Sequence, residues 1–284
     1  GTLSPAGQVN AETLVFWKNP ADKAKAKLLR QYEPRLHLPG EPSSPTTLLV
    51  GKARYRLYAN PVIQRYVERV GTELVSTFRS GASDPFRHLN FSFFLAHDIQ
   101  PGAAAYPSGV VVVPVDLLYV VENEAQLAFL LAHEIAHVTQ QHAWRQWHYH
   151  RRKLRFLRWA TAHLSWVVEK AIRKGYEREL ENQADRLALA YMVRAGYDPR
   201  EAYQFLQRLE AVWRFGLSPL LWSSHESFLS RRSSIMAVIQ TTHRNLAFHR
   251  LETNSEAFAA VRFYLPEAQI KTAIEQDAPR HRKH

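Results

Sequence analysis

The chain contains no cysteine. That absence excludes disulfides and thiolate metal sites, so a bound metal would have to be held by His, Glu or Asp. It leaves the compartment open. Long apolar runs are also missing: the longest candidate, Val110 to Val121, is broken by Pro114 and Asp116 and falls short of a membrane-spanning helix. The chain does not open on a basic segment followed by an apolar one. That is expected either of a cytosolic protein or of a mature form whose export signal has been removed, and Gly1 in place of Met favours the trimmed form. Acidic residues are fewer than basic ones, 26 against 37, for a net charge of +11. Such an excess points to an anionic partner of some kind. No nucleic-acid recognition motif accompanies it, so no nucleic-acid partner is expected.

What is present begins with size. The 284 residues, 46% of them hydrophobic, suffice for a sizeable core in one large domain or two small ones. The stretch Ala125-Gln-Leu-Ala-Phe-Leu-Leu-Ala-His-Glu-Ile-Ala-His-Val138 reads as a buried helix carrying His133, Glu134 and His137. Residues four apart share a helix face, so the two imidazoles can grip one ion with Glu134 beside it. A surface helix with a chance motif would not have Leu127, Leu130, Leu131, Ile135 and Val138 around it. Zinc accepts neutral imidazoles, and a catalytic zinc takes three protein ligands and leaves a position for water. A neighbouring carboxylate can take that water's proton.

In chain order, a helical stretch from about Ala11 to Tyr32 precedes a proline-rich connector from Glu33 to Pro45. Asn60-Pro61 opens a core helix with Val62, Tyr66, Val70, Leu74 and Val75 on one face. Phe86 to Ala96 alternates as a strand. Ala105 to Val115 reads as a strand entered through a tight turn, and Pro107 and Pro114 suit a sheet edge. An extended peptide could add as a further strand along Val110 to Val113. His142 is a further candidate for chemistry, and a histidine there equally suits the negative end of a helix.

Residues 144–174 form a basic, tryptophan-rich segment. It holds nine cationic side chains against Glu169, with Trp144, Trp147, Trp159 and Trp166 interspersed and Leu154, Leu157, Leu164 and Val168 at helical spacing. It reads either as an amphipathic helix on an anionic membrane surface or as a solvated lid over the site. Downstream, Glu181 and Asp185 are four apart on another helix. One carboxylate can bind the metal while the other accepts the free N–H of a ligating histidine.

These segments together resemble the zinc metallopeptidases of the HtpX, BepA and CAAX-prenyl-protease type (peptidase family M48). The similarity runs from about Asn60 to Ile235. It rests on the Asn60-Pro61 helix, Ala105-Tyr-Pro-Ser-Gly-Val-Val-Val-Val113, Asn123 to Val138, Arg178 with Glu181, Ala184 and Asp185, and Ala195-Gly-Tyr-Asp-Pro199. The resemblance implies that Glu181 is the third ligand of one zinc ion per chain and that Asp185 orients a ligand or donates a proton. Ser224-His-Glu-Ser-Phe-Leu-Ser-Arg231 is similar to the family's Thr-His-Pro loop, with Glu226 in place of the proline. It implies that His225 lies near the metal, binding substrate or latching the open position, and that Arg231 steadies the site or the substrate.

The expected fold is α+β and mainly helical, a zincin-like (gluzincin) domain with a small sheet and an edge strand beside the metal helix. The expected divisions are 1–59, an N-terminal helix and connector; 60–240, the catalytic domain; and 241–284, a helical extension with a basic tail. The expected function is zinc-dependent cleavage of misfolded or envelope proteins bound in extended form, with Glu134 as base. The location implied is the periplasm or the membrane-associated bacterial envelope, as in the compact periplasmic members. The alternative is a latched, chaperone-like binding module at an anionic membrane surface. Oligomeric state is left open.

Overall fold

The computed structural model describes residues 26–27, 29–38, 46–79, 89–97, 103–146, 165–214 and 228–265, with the backbone alone over 165–176. Most of the expected N-terminal helix, the centre of the basic segment, His225 and the basic tail lie outside the described residues.

Three short strands come first, β1 (Pro34–His37), β2 (Thr47–Val50) and β3 (Ala53–Leu57), paired antiparallel. In β2, Leu48 and Val50 are buried while Thr47 and Leu49 are half-buried, the period of two that a pleated strand imposes. Pro34–His37 was expected to be connector. It forms the sheet's outermost strand instead, where a leading proline costs no ladder hydrogen bond.

Helix α1 (Pro61–Arg79) starts where expected. The Asn60 carboxamide oxygen accepts from the Val62 and Ile63 amides at 3.0 and 3.3 Å, an N-cap. Its buried stripe runs through Ile63, Val67, Val70 and Leu74, with Val62 and Tyr66 at the margin. The helix lies close on the sheet, since a Cβ added to Gly71 would come within 2.5 Å of the Phe93 ring.

Strands β4 (Ser92–His97), β5 (Ala104–Ala105) and β6 (Val110–Pro114) complete a six-stranded sheet in the order β1-β2-β3-β4-β6-β5 among the described residues. The turn between β5 and β6 is closed by Gly109 N–H donating to Tyr106 at 2.9 Å, with Gly109 at φ +93°. Val110 to Val113 therefore do not form the sheet edge. Every residue of β6 is buried, parallel to β4 on one side and antiparallel to β5 on the other. A continuous valine run fits burial on both faces, and the edge beside the next long helix belongs to Ala104–Ala105.

A single turn, α2 (Leu117–Val120), leads to α3 (Glu124–Thr139). Asn123 caps α3 by accepting from the Gln126 amide at 3.0 Å. Only His137 of its sixteen residues is not buried, which matches a helix apolar on all sides. α1, α4 (Ser165–Arg194) and α5 (Arg200–Arg214) pack around it, and α6 (Phe228–Thr242) packs on α4 and α5. A 3₁₀ turn (Phe248–Arg250) and α7 (Ser255–Arg262) follow. The chain is thus mainly helical with a small mixed sheet. No helix of the described residues is long and apolar enough to cross a membrane.

The N-terminal end of α3 is tied down by one carboxylate. Glu124, 1% exposed, accepts from Tyr66, Arg69, Tyr197 at 2.8 Å and Asn254 at 2.8 Å. Burial pushes its pKa up, but these hydrogen bonds outweigh it and hold the carboxyl below its ordinary value.

Candidate metal centre

Helices α3 and α4 meet where α3 presents His133 and His137 and α4 presents Glu181. The two Nε2 atoms are 3.1 Å apart. Glu181 Oε2 lies 3.3 Å from Nε2 of His133, and its Oε1 lies 3.4 Å from Nε2 of His137. Among the described residues these three form the group able to hold a metal ion. An ion with tetrahedral bonds of about 2.0–2.1 Å separates its ligand atoms by about 3.3–3.4 Å, so the donor spacing fits one ion. The chemistry fits as well: the His133 imidazole and the Glu181 carboxylate are buried and the His137 imidazole is half-buried, so the donors lie largely out of bulk water.

Each imidazole is supported from behind. His133 Nδ1 lies 2.9 Å from Asp185 Oδ1. Arg231, on α6 and fully buried, grips Asp185 with Nε at 2.8 Å and Nη2 at 2.6 Å, a bidentate pair. Its Nη1 is 3.8 Å from Glu181. Burial alone would raise the Asp185 pKa, but Arg231 and His133 hold it below the usual carboxylate range. Burial and Arg231 push His133 down, yet Asp185 and Glu181 outweigh both and raise it to about 9.

His137 is backed by His142, with the two Nδ1 atoms 3.0 Å apart. On its far side His142 meets Gln183 of α4 at 3.3 Å. Gln183 also accepts from Arg145 at 2.7 Å and donates to Gln140 at 3.0 Å. Burial drives the His142 pKa down to about 4, so this ring is neutral.

The structure thus brings together His133, His137, Glu181, Asp185 and Arg231. Glu134, 2% exposed, lies between the two histidines on α3. His225 lies outside the described residues. Glu177 is half-buried; Glu179 is exposed and pairs with Arg186. Gln183 was missed, because it stands two residues from both Glu181 and Asp185 and helical periodicity puts it on another face. His142 reads from the sequence only as a histidine suited to the negative helix end, and a five-residue step from His137 marks no shared helix face.

The profile of peptidase family M48 matches residues 61–239. The chain is 30% identical over 181 residues to the beta-barrel assembly-enhancing protease of Escherichia coli (strain K12), covering 57% of this chain and 36% of that protein. It is 29% identical over 196 residues to the putative beta-barrel assembly-enhancing protease of Vibrio cholerae, covering 61% and 39%. With the mitochondrial metalloendopeptidase OMA1 of Schizosaccharomyces pombe it shares 27% over 237 residues, covering 81% and 63%. The chain thus spans less than two-thirds of the length of each of these relatives.

Proposed function

The chain belongs to peptidase family M48, and from that premise we propose that it is a zinc-dependent endopeptidase. The observation that carries the reading is the meeting of His133, His137 and Glu181 from two separate helices at mutual distances of 3.1–3.4 Å. These three residues hold one zinc ion. When bound, zinc supplies Lewis acidity that polarises the scissile carbonyl and makes the attacking water acidic. The protein's own side chains do the rest. The Glu134 carboxylate takes the water's proton and passes it to the leaving amide nitrogen, as general base and then general acid.

Asp185 accepts the His133 Nδ1 proton and so keeps the Nε2 lone pair directed inward. Arg231, with no exposed surface, grips Asp185 and also brings its Nη2 within 3.3 Å of His133 Nδ1, so it is a positioning residue rather than a substrate contact. His225 is retained as the residue that meets substrate or closes the open position. The substrate is a protein segment lying extended along the edge strand Ala104–Ala105, which packs beside α3.

The family match over 61–239 supports a catalytic unit at 60–240, flanked by 1–59 and 241–284. Two bacterial relatives are named for β-barrel assembly. That name supports envelope proteins as substrates and a place for the chain in the bacterial envelope. The basic segment 144–174 is assigned to the anionic membrane surface or to a lid over the site.

The test is a paired assay of metal content and casein cleavage, with and without a chelator. One zinc per chain and chelator-sensitive cleavage are expected. Cleavage that survives full removal of the metal overturns the reading.

A further inference from the structure

Beyond the three ligands, we propose that His142 is a positioning residue of this centre: held by Gln183 and Arg145, it fixes His137 in the Nδ1–H form and aims its Nε2 lone pair at the ion. The proposal rests on the metallopeptidase reading of the site.

The argument starts where α3 ends. Gln141 takes a left-handed conformation, φ +54°, and redirects the chain after Thr139. The helical turn at 142–146 then carries His142 back beneath His137, with ring centroids 4.8 Å apart and planes at 86°. His142 is 2% exposed.

Donor inventory settles the proton positions. A guanidinium can only donate, so the Gln183 atom 2.7 Å from Arg145 Nη1 is the carboxamide oxygen. Gln183 Nε2 correspondingly donates to Gln140 at 3.0 Å. The same oxygen faces His142 Nε2 at 3.3 Å, so that nitrogen carries the hydrogen. A neutral imidazole has one N–H, which leaves His142 Nδ1 as an acceptor. It lies 3.0 Å from His137 Nδ1, which must then be the donor. Nε2 of His137 is left with its lone pair directed at His133 and Glu181. With Gln183 turned over, the whole chain of donors reverses. His137 would then point an N–H into the site and exclude a cation.

The two ligating rings are therefore oriented by different means. His133 leans on the ionised Asp185–Arg231 pair, whereas His137 leans on an uncharged ring backed by an amide. Supporting His137 by an uncharged ring adds no carboxylate to the Glu134, Glu181 and Asp185 that the two helices already bring to the site.

The test uses the 284-residue chain and zinc itself as probe. Zinc affinity is read by competition with a chromogenic chelator, and histidine tautomers by long-range ¹⁵N NMR of the zinc-loaded protein. His142→Phe fills the space and accepts nothing, and is expected to weaken zinc binding roughly 10–100-fold. His142→Asn places an amide oxygen near the position of Nδ1 and restores most of the affinity. Gln183→Leu weakens binding in the same direction, and NMR shows His142 as the Nε2–H tautomer.

Affinity of His142→Phe within about threefold of wild type, or His142 as the Nδ1–H tautomer, overturns the proposal. Should His142→Phe fail to fold by circular dichroism, Gln183→Leu and the wild-type spectrum decide. A wild-type protein that binds zinc and cleaves nothing overturns the peptidase assignment and leaves this proposal standing.

Discussion

At the scale of single residues, the proposed site divides into groups that would hold the ion, groups that hold those groups in place, and one group that would move a proton. Glu134→Gln separates the last from the rest. Zinc content should stay at one per chain while casein cleavage falls roughly 10²–10⁴-fold, measured on the same preparation; undiminished cleavage removes Glu134 from its role. Asp185→Asn strikes the holders. It breaks a buried pair with Arg231 and the acceptor behind His133 together. Expected are a loss of about 3–5 kcal/mol in denaturant unfolding and zinc binding roughly 10–100-fold weaker. The sequence displayed His133, Glu134 and His137 openly, because three and four residues are the repeat of a helix. Glu181 and Asp185 were legible as a pair sharing one face, and their division of labour came from the family resemblance. His142 and Gln183 were not legible as partners, since their contact depends on a left-handed turn at Gln141 that no residue type announces.

At the scale of elements, α3 is legible because it is apolar on every side and begins with a capping asparagine. Strand β6 was legible as a strand but misplaced at the edge. Pro107 before it and Pro114 at its end suggest an edge, whereas its unbroken valines signify burial on both faces, and burial wins. The turn that delivers β6 requires Gly109 at φ +93°, where an added Cβ would also come within 2.6 Å of the Asn90 carbonyl oxygen. Gly109→Ala should cost about 1–3 kcal/mol in urea unfolding, with zinc affinity unchanged once folded.

The anchoring of α3 carries a pH dependence. The Glu124 carboxyl is held below the ordinary value of 4.5 in the folded chain. Its contribution to stability is therefore complete above that value and is lost as pH falls through the depressed one. Replacing it by Gln should flatten the acid limb of the stability profile measured by thermal unfolding. An unchanged limb would mean that other carboxylates set it.

At the scale of the molecule, the chain places its ligands on different helices, so an ion bound there ties α3 to α4. Zinc in hundredfold excess over its dissociation constant adds about 2.7 kcal/mol by mass action. For a domain of this size that raises the unfolding midpoint by roughly 5–10 °C, an increment that chelator should abolish in calorimetry. The overall class, helices over a small sheet, could be read from periodicity. The sheet order could not, because the parallel pairing of β4 with β6 and the capture of Pro34–His37 as an outer strand are settled by long-range packing.

Helix α4 delivers Glu181, Gln183 and Asp185 within five residues, so the third donor and the props behind both rings arrive on one rod. A newly made chain in which that rod has not yet docked offers α3's imidazoles without their props or their third partner. On the proposed reading, such a chain would hold its ion weakly and would gain its cleaving power only after the rod has docked.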